Sequence, residues 1–317
     1  MTIFTVTLNP AIDQTITLDA LVPGTVHRAL TARCDAGGKG VNVAACLADW
    51  GEHVVVTGLL GTGDAGPFEA LLAAKRIEDR FVRTTSSNRM NIKLIDARHT
   101  TDINMPGAPV APDALAAVED ALKALDADHD LVILAGSLPT GCPSTVYADM
   151  TARVGERGVR VLVDTSGSAL VSTLAAPLKP FCVKPNRHEL AEWAGEPLDD
   201  LIDIYAAGQR LLRTGVGLVV ISMGSEGALF LADGCALHAH LAAEHVHGTV
   251  GAGDAMVAGI AAGLAEQADL ERLARLSTAF AVAKLGLAGA NLPGRTTIEA
   301  LAAAVRIDDV ASAGSQT

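Results

Sequence analysis

No uninterrupted apolar stretch of about 18 residues occurs anywhere in the chain, which argues against a membrane-spanning helix. The opening "MTIFTVTLNP" turns from apolar to polar too soon for a charged-then-apolar leader, so a soluble, cytoplasmic protein with no membrane partner is expected. Basic residues are also in short supply. Thirty-six Asp and Glu against 24 Lys and Arg give a formal charge of −12, which argues against a general nucleic-acid or anionic-membrane surface. Any anionic ligand must therefore meet positive groups gathered locally. Paired cysteine spacings are missing: Cys34, Cys46, Cys142, Cys182 and Cys235 show no CxxC or CxH pattern, against a structural zinc site or a secreted disulfide framework. They read as small, mostly buried apolar side chains. There is no internal repeat and no linker rich in Pro, Gly or Ser.

What the chain has is apolar mass. Of its 317 residues, 50% are hydrophobic and 19% charged, enough to bury a large core. Short β-branched runs ("IFTVTL", "HVVVTGLL", "LVILAGSLP", "VRVLVDTS", "GLVVISMG") alternate with stretches of helical spacing at 112–126, 143–155, 199–214 and 269–285. Continuous apolar strands alternating with helices predict a mostly parallel sheet covered on both faces. Before residue 105 the pattern changes: "QTITL", "VHRALTARC", "RMNIKLID" and "TTDINM" alternate apolar and polar residues as half-exposed strands do. They predict a small second sheet, either a lid over a site or an ordinary antiparallel extension.

The segment "HGTVGAGDAMVAGI" holds a lone carboxylate, Asp254, in a glycine turn ahead of an apolar helix. Gly251 and Gly253 permit a tight turn with backbone N–H groups facing outward, at the positive end of the helix that follows. Such a turn binds anions; the plainer alternative is a strand-to-helix turn with a helix-stabilising acid. The GxGxxG register puts Met256 where the third glycine belongs, and no Gly-Lys-Ser/Thr follows, so it is neither a Rossmann fingerprint nor a Walker A loop. A second glycine turn, "DAGGKGVNVA", sets Lys39 beside another helix start and suits a phosphate or a sugar rim. In "VKPNRHELAEW", Asn186 and Glu189 stand three apart at a helix start, a spacing that equally makes a capping box.

Taken in order, "TLNPAID", "AGGKGVNVA", "RMNIKL", "AGSLPTG", "VKPNRHEL", "ISMGSEGA" and "TVGAGDAMVAG" resemble the ribokinase-like sugar kinases, in the phosphofructokinase B branch, from residue 3 to about 265. The resemblance implies a three-layer α/β/α fold over residues 1–317, with a small β-lid formed by excursions around 12–34 and 88–106. It implies ATP-dependent phosphoryl transfer to a sugar, with Asp254 as base and the N–H groups of Gly251, Ala252 and Gly253 stabilising the transferring group. On the same basis Asn186 and Glu189 place Mg²⁺ through waters. Lys184, Asn186, Ser222, Gly224, Gly227 and Thr249, with Ser225 and Glu226 in the same loop, line the ATP side. Asp13, Gly38, Lys39 and Asn42 hold the sugar; Arg89, Asn91 and Lys93 meet its ring and existing phosphate, and Arg28 adds a charge from the lid edge. A monovalent-cation requirement is left open.

Within the branch, "NRMNIKL" and "DINMPG" resemble the kinases of fructose 1-phosphate more than those of tagatose 6-phosphate, while "MPGA" and "VDTSG" are also similar to the minor kinases of fructose 6-phosphate. Fructose 1-phosphate is ranked first, and Lys39 suits a substrate that already carries phosphate. A non-catalytic sugar-phosphate sensor on the same fold would be expected to lose Asp254 or the turn glycines, and the chain keeps them all. A nicotinamide-dependent dehydrogenase would need GxGxxG after the first strand, which here ends in "LNPAID". The apolar residues of "ITL", "ALTARC" and "KLI" predict a homodimer joined through the lid, since a thin sheet would otherwise leave an apolar face in water.

Overall fold

The apolar runs become the strands of one large sheet. A computed structural model describes residues 1–126, 130–243, 246, 248–287 and 289–310. At the sheet's centre β1 (Thr2–Thr7) lies parallel to β8 (Asp130–Ala135) on one side and to β4 (His53–Gly61) on the other. Beyond β4 runs β5 (Glu78–Thr84); beyond β8 follow β9 (Arg160–Asp164), β10 (Cys182–Val183) and β11 (Leu218–Ser222), all parallel. The continuous apolar runs are apolar because both faces are covered. In β8, Leu131, Ile133 and Ala135 pack into one core, and Val132 and Leu134 into the other. The first core lies under α1 (Lys39–Trp50), α2 (Gly66–Lys75), α8 (Ala252–Ala265), α9 (Leu270–Leu285) and α10 (Arg295–Ala304). The second lies under α3 (Pro112–Ala121), α4 (Val146–Gly155), α5 (Gly167–Ala175), α6 (Arg187–Ala194) and α7 (Leu201–Leu212). This is the expected three-layer α/β/α arrangement.

At one end this sheet turns antiparallel, a departure from the parallel run that the apolar strands predict. β12 (Ala228–Ala232) and β13 (Cys235–His240) form a hairpin about Asp233 and Gly234, and β14 (Arg306–Asp309) closes the edge. An Asp-Gly pair between apolar runs is a hairpin signal. Here β12 is almost wholly buried, so the alternation that usually announces an antiparallel strand is absent. The cysteines are free; Cys46 and Cys182 are buried as expected, but Cys34 lies exposed because its strand faces water. Among the described residues no helix is long and apolar enough to cross a membrane.

The half-exposed segments form the small sheet, in the order β3 (Thr31–Gly37), β2 (Ala11–Thr17), β6 (Arg89–Ile95), β7 (Thr100–Asn104). β2 and β6 are parallel; the outer pairs are antiparallel. The strand order of the large sheet reverses between β1 and β8, and a Cβ on Gly136, just past β8, would lie 3.7 Å from the Lys39 Cβ. The start of α1 thus sits at a topological switch point, where open α/β sheets bind their ligands.

Candidate active site

Two helix starts meet beyond the carboxyl ends of the parallel strands. α1 begins at Gly38 (φ 112°) and α8 at Gly251 (φ 84°), backbone angles that glycine adopts without strain. Neither start has a side-chain cap, so first-turn N–H groups are left for a ligand. The N–H of Ala252 makes a long bond of 3.4 Å to the Thr249 carbonyl. Asp254 is buried in the first turn of α8, and its Oδ2 accepts from Asn42 Nδ2 of α1 at 2.8 Å, so the carboxylate ties the two helix starts together. Burial pushes its carboxyl above the usual aspartate range; Lys39, Asn42 and Lys184 offset this only in part, and Asp164 adds to it.

Asp164 was not singled out in the sequence. It ends β9 fully buried, and its Oδ1 receives Lys39 Nζ at 3.1 Å and Lys184 Nζ at 3.3 Å. Burial alone would raise its carboxyl, but Lys184 and Lys39 hold it below the ordinary range. Its Oδ2 is buried with no hydrogen-bond partner among the described residues. Lys39, likewise penalised by burial, is held above the ordinary lysine range by Asp164, Asp254 and Glu189. One signal was legible: a carboxylate closing an otherwise apolar strand has no reason to be there for packing.

The small sheet supplies the opposite wall. Asn91 Nδ2 donates to Asp13 Oδ1 at 2.8 Å across the β2–β6 pair, and Arg89 donates to Asn91 Oδ1 at 3.1 Å and to the Asn9 carbonyl at 3.0 Å. Lys93 lies 3.7 Å from Asp102. Gly37 has no side chain because a Cβ there would occupy the space of the Asp13 carboxylate. Burial raises the Asp13 carboxyl, opposed by Asn91, Arg89 and Lys93. Between the walls lies a cleft of about 400 Å³ lined by Asp13, Gly38, Lys39, Asn42, Arg89, Asn91, Lys93, Gly251 and Asp254.

The remaining candidates lie elsewhere. Asn186 Oδ1 accepts from the Glu189 N–H and Glu189 Oε2 from the Asn186 N–H, both at 2.8 Å: the capping box forms. Asn186 bridges to Ser222, whose N–H donates to the Pro185 carbonyl. Gly224, Ser225 and Glu226 form an exposed turn, with Glu226 2.8 Å from Arg187. Gly227 follows at φ 90°, pressed against the Ala239 carbonyl, and Thr249 is exposed ahead of α8. None of these residues lines the cleft, nor does buried Lys184, whose ammonium reaches Asp164 at the end of β9. Arg28 lies exposed in the β2–β3 connection and does not line the cleft. Lys39 lines it, yet its ammonium turns to Asp164 instead of to the small sheet. Among the described residues no group of three or more His, Cys, Asp or Glu could hold a metal directly.

A doubly covered parallel sheet, a small sheet over its switch point and two open helix starts define a class of phosphotransferase. Residues 6–297 match the pfkB family carbohydrate kinases, and the chain belongs to that family, whose members transfer phosphate to a sugar hydroxyl. More particularly, it is 51% identical over 286 residues to a 1-phosphofructokinase of Xanthomonas campestris pv. campestris, covering 89% of this chain and 90% of that one. It is 42% identical over 308 residues to the 1-phosphofructokinase of Rhodobacter capsulatus, covering 96% and 97%. Among solved structures, phosphofructokinase-2 from Escherichia coli in complex with potassium superposes with a TM-score of 0.89 at 27% identity, covering 95% of this chain and 98% of that one.

Proposed function

We propose that the protein transfers the terminal phosphoryl group of ATP to fructose 1-phosphate, giving fructose 1,6-bisphosphate and ADP. The observation that carries the reading is the buried Asp254 carboxylate, at an uncapped helix start and open to a cleft whose other wall bears Arg89 and Lys93. The 1-phosphofructokinase relatives support the choice of sugar.

In this reading Asp254 takes the proton of the 6-hydroxyl as that oxygen attacks, and the bond from the terminal phosphorus to ATP's bridging oxygen breaks in line. Asn42 holds the carboxylate in place through its 2.8 Å bond. The N–H groups of Gly251, Ala252 and Gly253 face the transferring group, where preorganised donors act without reorganising. Lys39 and Lys184 share one buried carboxylate, which leaves a surplus positive charge to receive it. Asp13, oriented by Asn91, and the backbone at Gly38 hold the sugar hydroxyls. Arg89 and Lys93 meet the 1-phosphate, joined by Arg28 when the small sheet closes as a lid over the single domain. Lys184, Asn186, Ser222, Gly224, Ser225, Glu226, Gly227 and Thr249 carry the nucleotide.

Magnesium fits the residues present. Asp164 Oδ2 is an orphaned buried oxygen, and the capping box engages only Oε2 of Glu189. These oxygens and Asn186 would hold a hydrated Mg²⁺ through waters, which neutralises phosphate charge when bound.

The assembly is read as a homodimer joined through the small sheet, and the enzyme as cytoplasmic. Val26, 97% exposed, and Leu30, 59% exposed, lie in the β2–β3 connection, with Ile103 and Met105 exposed on and just after β7. Two-fold pairing would cover them. Light scattering of the wild type and of Leu30→Lys tests this: a fully active monomeric wild type ends it. For the substrate, a coupled ADP-release assay across fructose 1-phosphate, fructose 6-phosphate and tagatose 6-phosphate decides. The highest kcat/KM is expected with fructose 1-phosphate; a higher value with either alternative reassigns the sugar, and no ADP release with any removes the kinase reading.

A further inference from the structure

The phosphoryl-transfer reading leaves one buried charge unused. Lys284 stands in the last turn of α9, only 5% exposed, at helical spacing from the buried Ser277 and Phe280. Lysine is seldom buried this far without an acidic partner. Among the described residues Lys284 has no ion pair; its Nζ donates to the Leu287 carbonyl at 2.9 Å. The path of α9 brings it there. Gly259 and Gly263 of α8 press on Ser277 and Leu273 of α9, where a Cβ would come within 2.5 Å and 3.2 Å, so the helices run antiparallel in close contact. The end of α9 therefore arrives beneath the start of α8. A Cβ on Gly251 would lie 3.1 Å from Lys284 Cε and 3.8 Å from its Nζ, and one on Gly253 would lie 3.7 Å from Lys184 Nζ. Each outer glycine of the turn thus has a lysine ammonium at its side, and Lys284 lines the same cleft as Asp254.

We propose that Lys284 is a positioning residue for phosphoryl transfer, a tethered cation that braces the Gly251 turn against the segment after α9 and helps keep Asp254 ionised. The proposal rests on the reading of Asp254 as the base. Burial pulls the Lys284 ammonium below the ordinary lysine range, opposed by Cys46 and Asp254, with Lys93 adding to the depression. The charged and titratable groups around Asp254 are Lys39, Asp164, Lys184, Lys284 and Cys46. Asp254 is already pushed upward by burial, so losing a cation from this set raises it further and delays ionisation to higher pH. The plainer alternative is a lysine that merely satisfies a carbonyl past a helix end; that role moves stability and leaves the chemistry alone.

Lys284→Met keeps the stem and removes the charge. Expected is a fall in kcat of about 10- to 100-fold, as for loss of one preorganised group facing the transition state. KM for fructose 1-phosphate should stay within about threefold, and the acid limb of the kcat/KM profile should move up by about half a unit to one unit. In Lys284→Ala, methylammonium should restore turnover in a saturable way, and tetramethylammonium, which has no N–H to give the Leu287 carbonyl, should not. A Lys284→Met protein that melts near the wild type, turns over within about twofold of it and keeps its acid limb overturns the proposal. Should Lys284→Met melt too low to assay, Lys284→Ala below its own melting temperature decides: recovery with methylammonium supports the proposal, and no recovery at any concentration overturns it. Asp254→Asn run alongside separates the two levels, because full turnover there removes the base itself, whereas an inactive Asp254→Asn beside an active Lys284→Met removes only the role of Lys284.

Discussion

At Gly38 and again at Gly251 the chain enters a helix through a glycine at positive φ with no side-chain cap, but the charges that follow differ in sign. Lys39 is the first residue of α1; Asp254 is the third of α8. Each charge also reaches away from its own turn. Lys39 crosses to Asp164 at the end of β9, and Asp254 crosses to Asn42 on α1. A glycine turn at a helix start is a generic anion site, and the side chain placed beside it decides what the site does: in the proposed mechanism one turn adds positive charge for a phosphoryl group and the other adds a base beside it.

Breaking that asymmetry should give the largest effect. Asp254→Asn keeps the shape of the second turn and removes the proposed base, so kcat should fall by roughly 10²- to 10⁴-fold in the coupled assay. Next comes the counterion of the first turn. Asp164→Asn leaves Lys39 and Lys184 facing one another with no carboxylate between them; a loss of about 3 kcal/mol is expected in denaturant unfolding, as for a buried pair deprived of one partner. On the small-sheet wall, Arg89→Ala should raise KM for the sugar phosphate much more than KM for ATP, by an amount corresponding to about 1.5–3 kcal/mol for a charge-assisted contact. An increase confined to ATP would exchange the two ends of the cleft.

The smaller effects sharpen the comparison. Glu189→Gln retains most of the capping box, so a purely structural role predicts a slightly lower Tm and near-normal turnover. A share in placing magnesium predicts a kcat reduced by about tenfold that extra Mg²⁺ partly restores, read by titrating the rate against Mg²⁺. The smallest effect is the wild type's own pH profile. As the proposed base Asp254 must be ionised, and burial raises its carboxyl, so activity should be lost as pH falls through a midpoint above the ordinary aspartate range. A midpoint below that range would mean that its cations outweigh burial.

The parts of the fold that could be read in advance are those fixed locally. Runs such as "VRVLVD" are apolar because both faces are buried, and α7 and α9 announce themselves through Asp200 and Asp269, whose side chains accept N–H groups of their own first turns. The small sheet was legible in its alternation, and both glycine turns in their composition. The hairpin of β12 and β13 was not, because burial on both faces erased the alternation of β12. The charge network was harder still. Asp164 meets Lys39 across 125 residues of chain, and Asp254 meets Asn42 across 212, a pairing that no local pattern records. Lys284 was hidden for the opposite reason: a lysine in the last turn of a helix is already accounted for by the helix dipole, and only the close packing of α8 on α9 shows where its ammonium goes.

The central claim is that Asp254 serves the chemical step and not ligand binding, and it is tested most directly by measuring equilibrium binding and turnover on the same Asp254→Asn protein. Isothermal titration with fructose 1-phosphate, and with a non-hydrolysable ATP analogue and Mg²⁺, should give Kd values within about threefold of the wild type while kcat collapses. Retained turnover, or a loss of affinity large enough to account for the loss of rate, would contradict it.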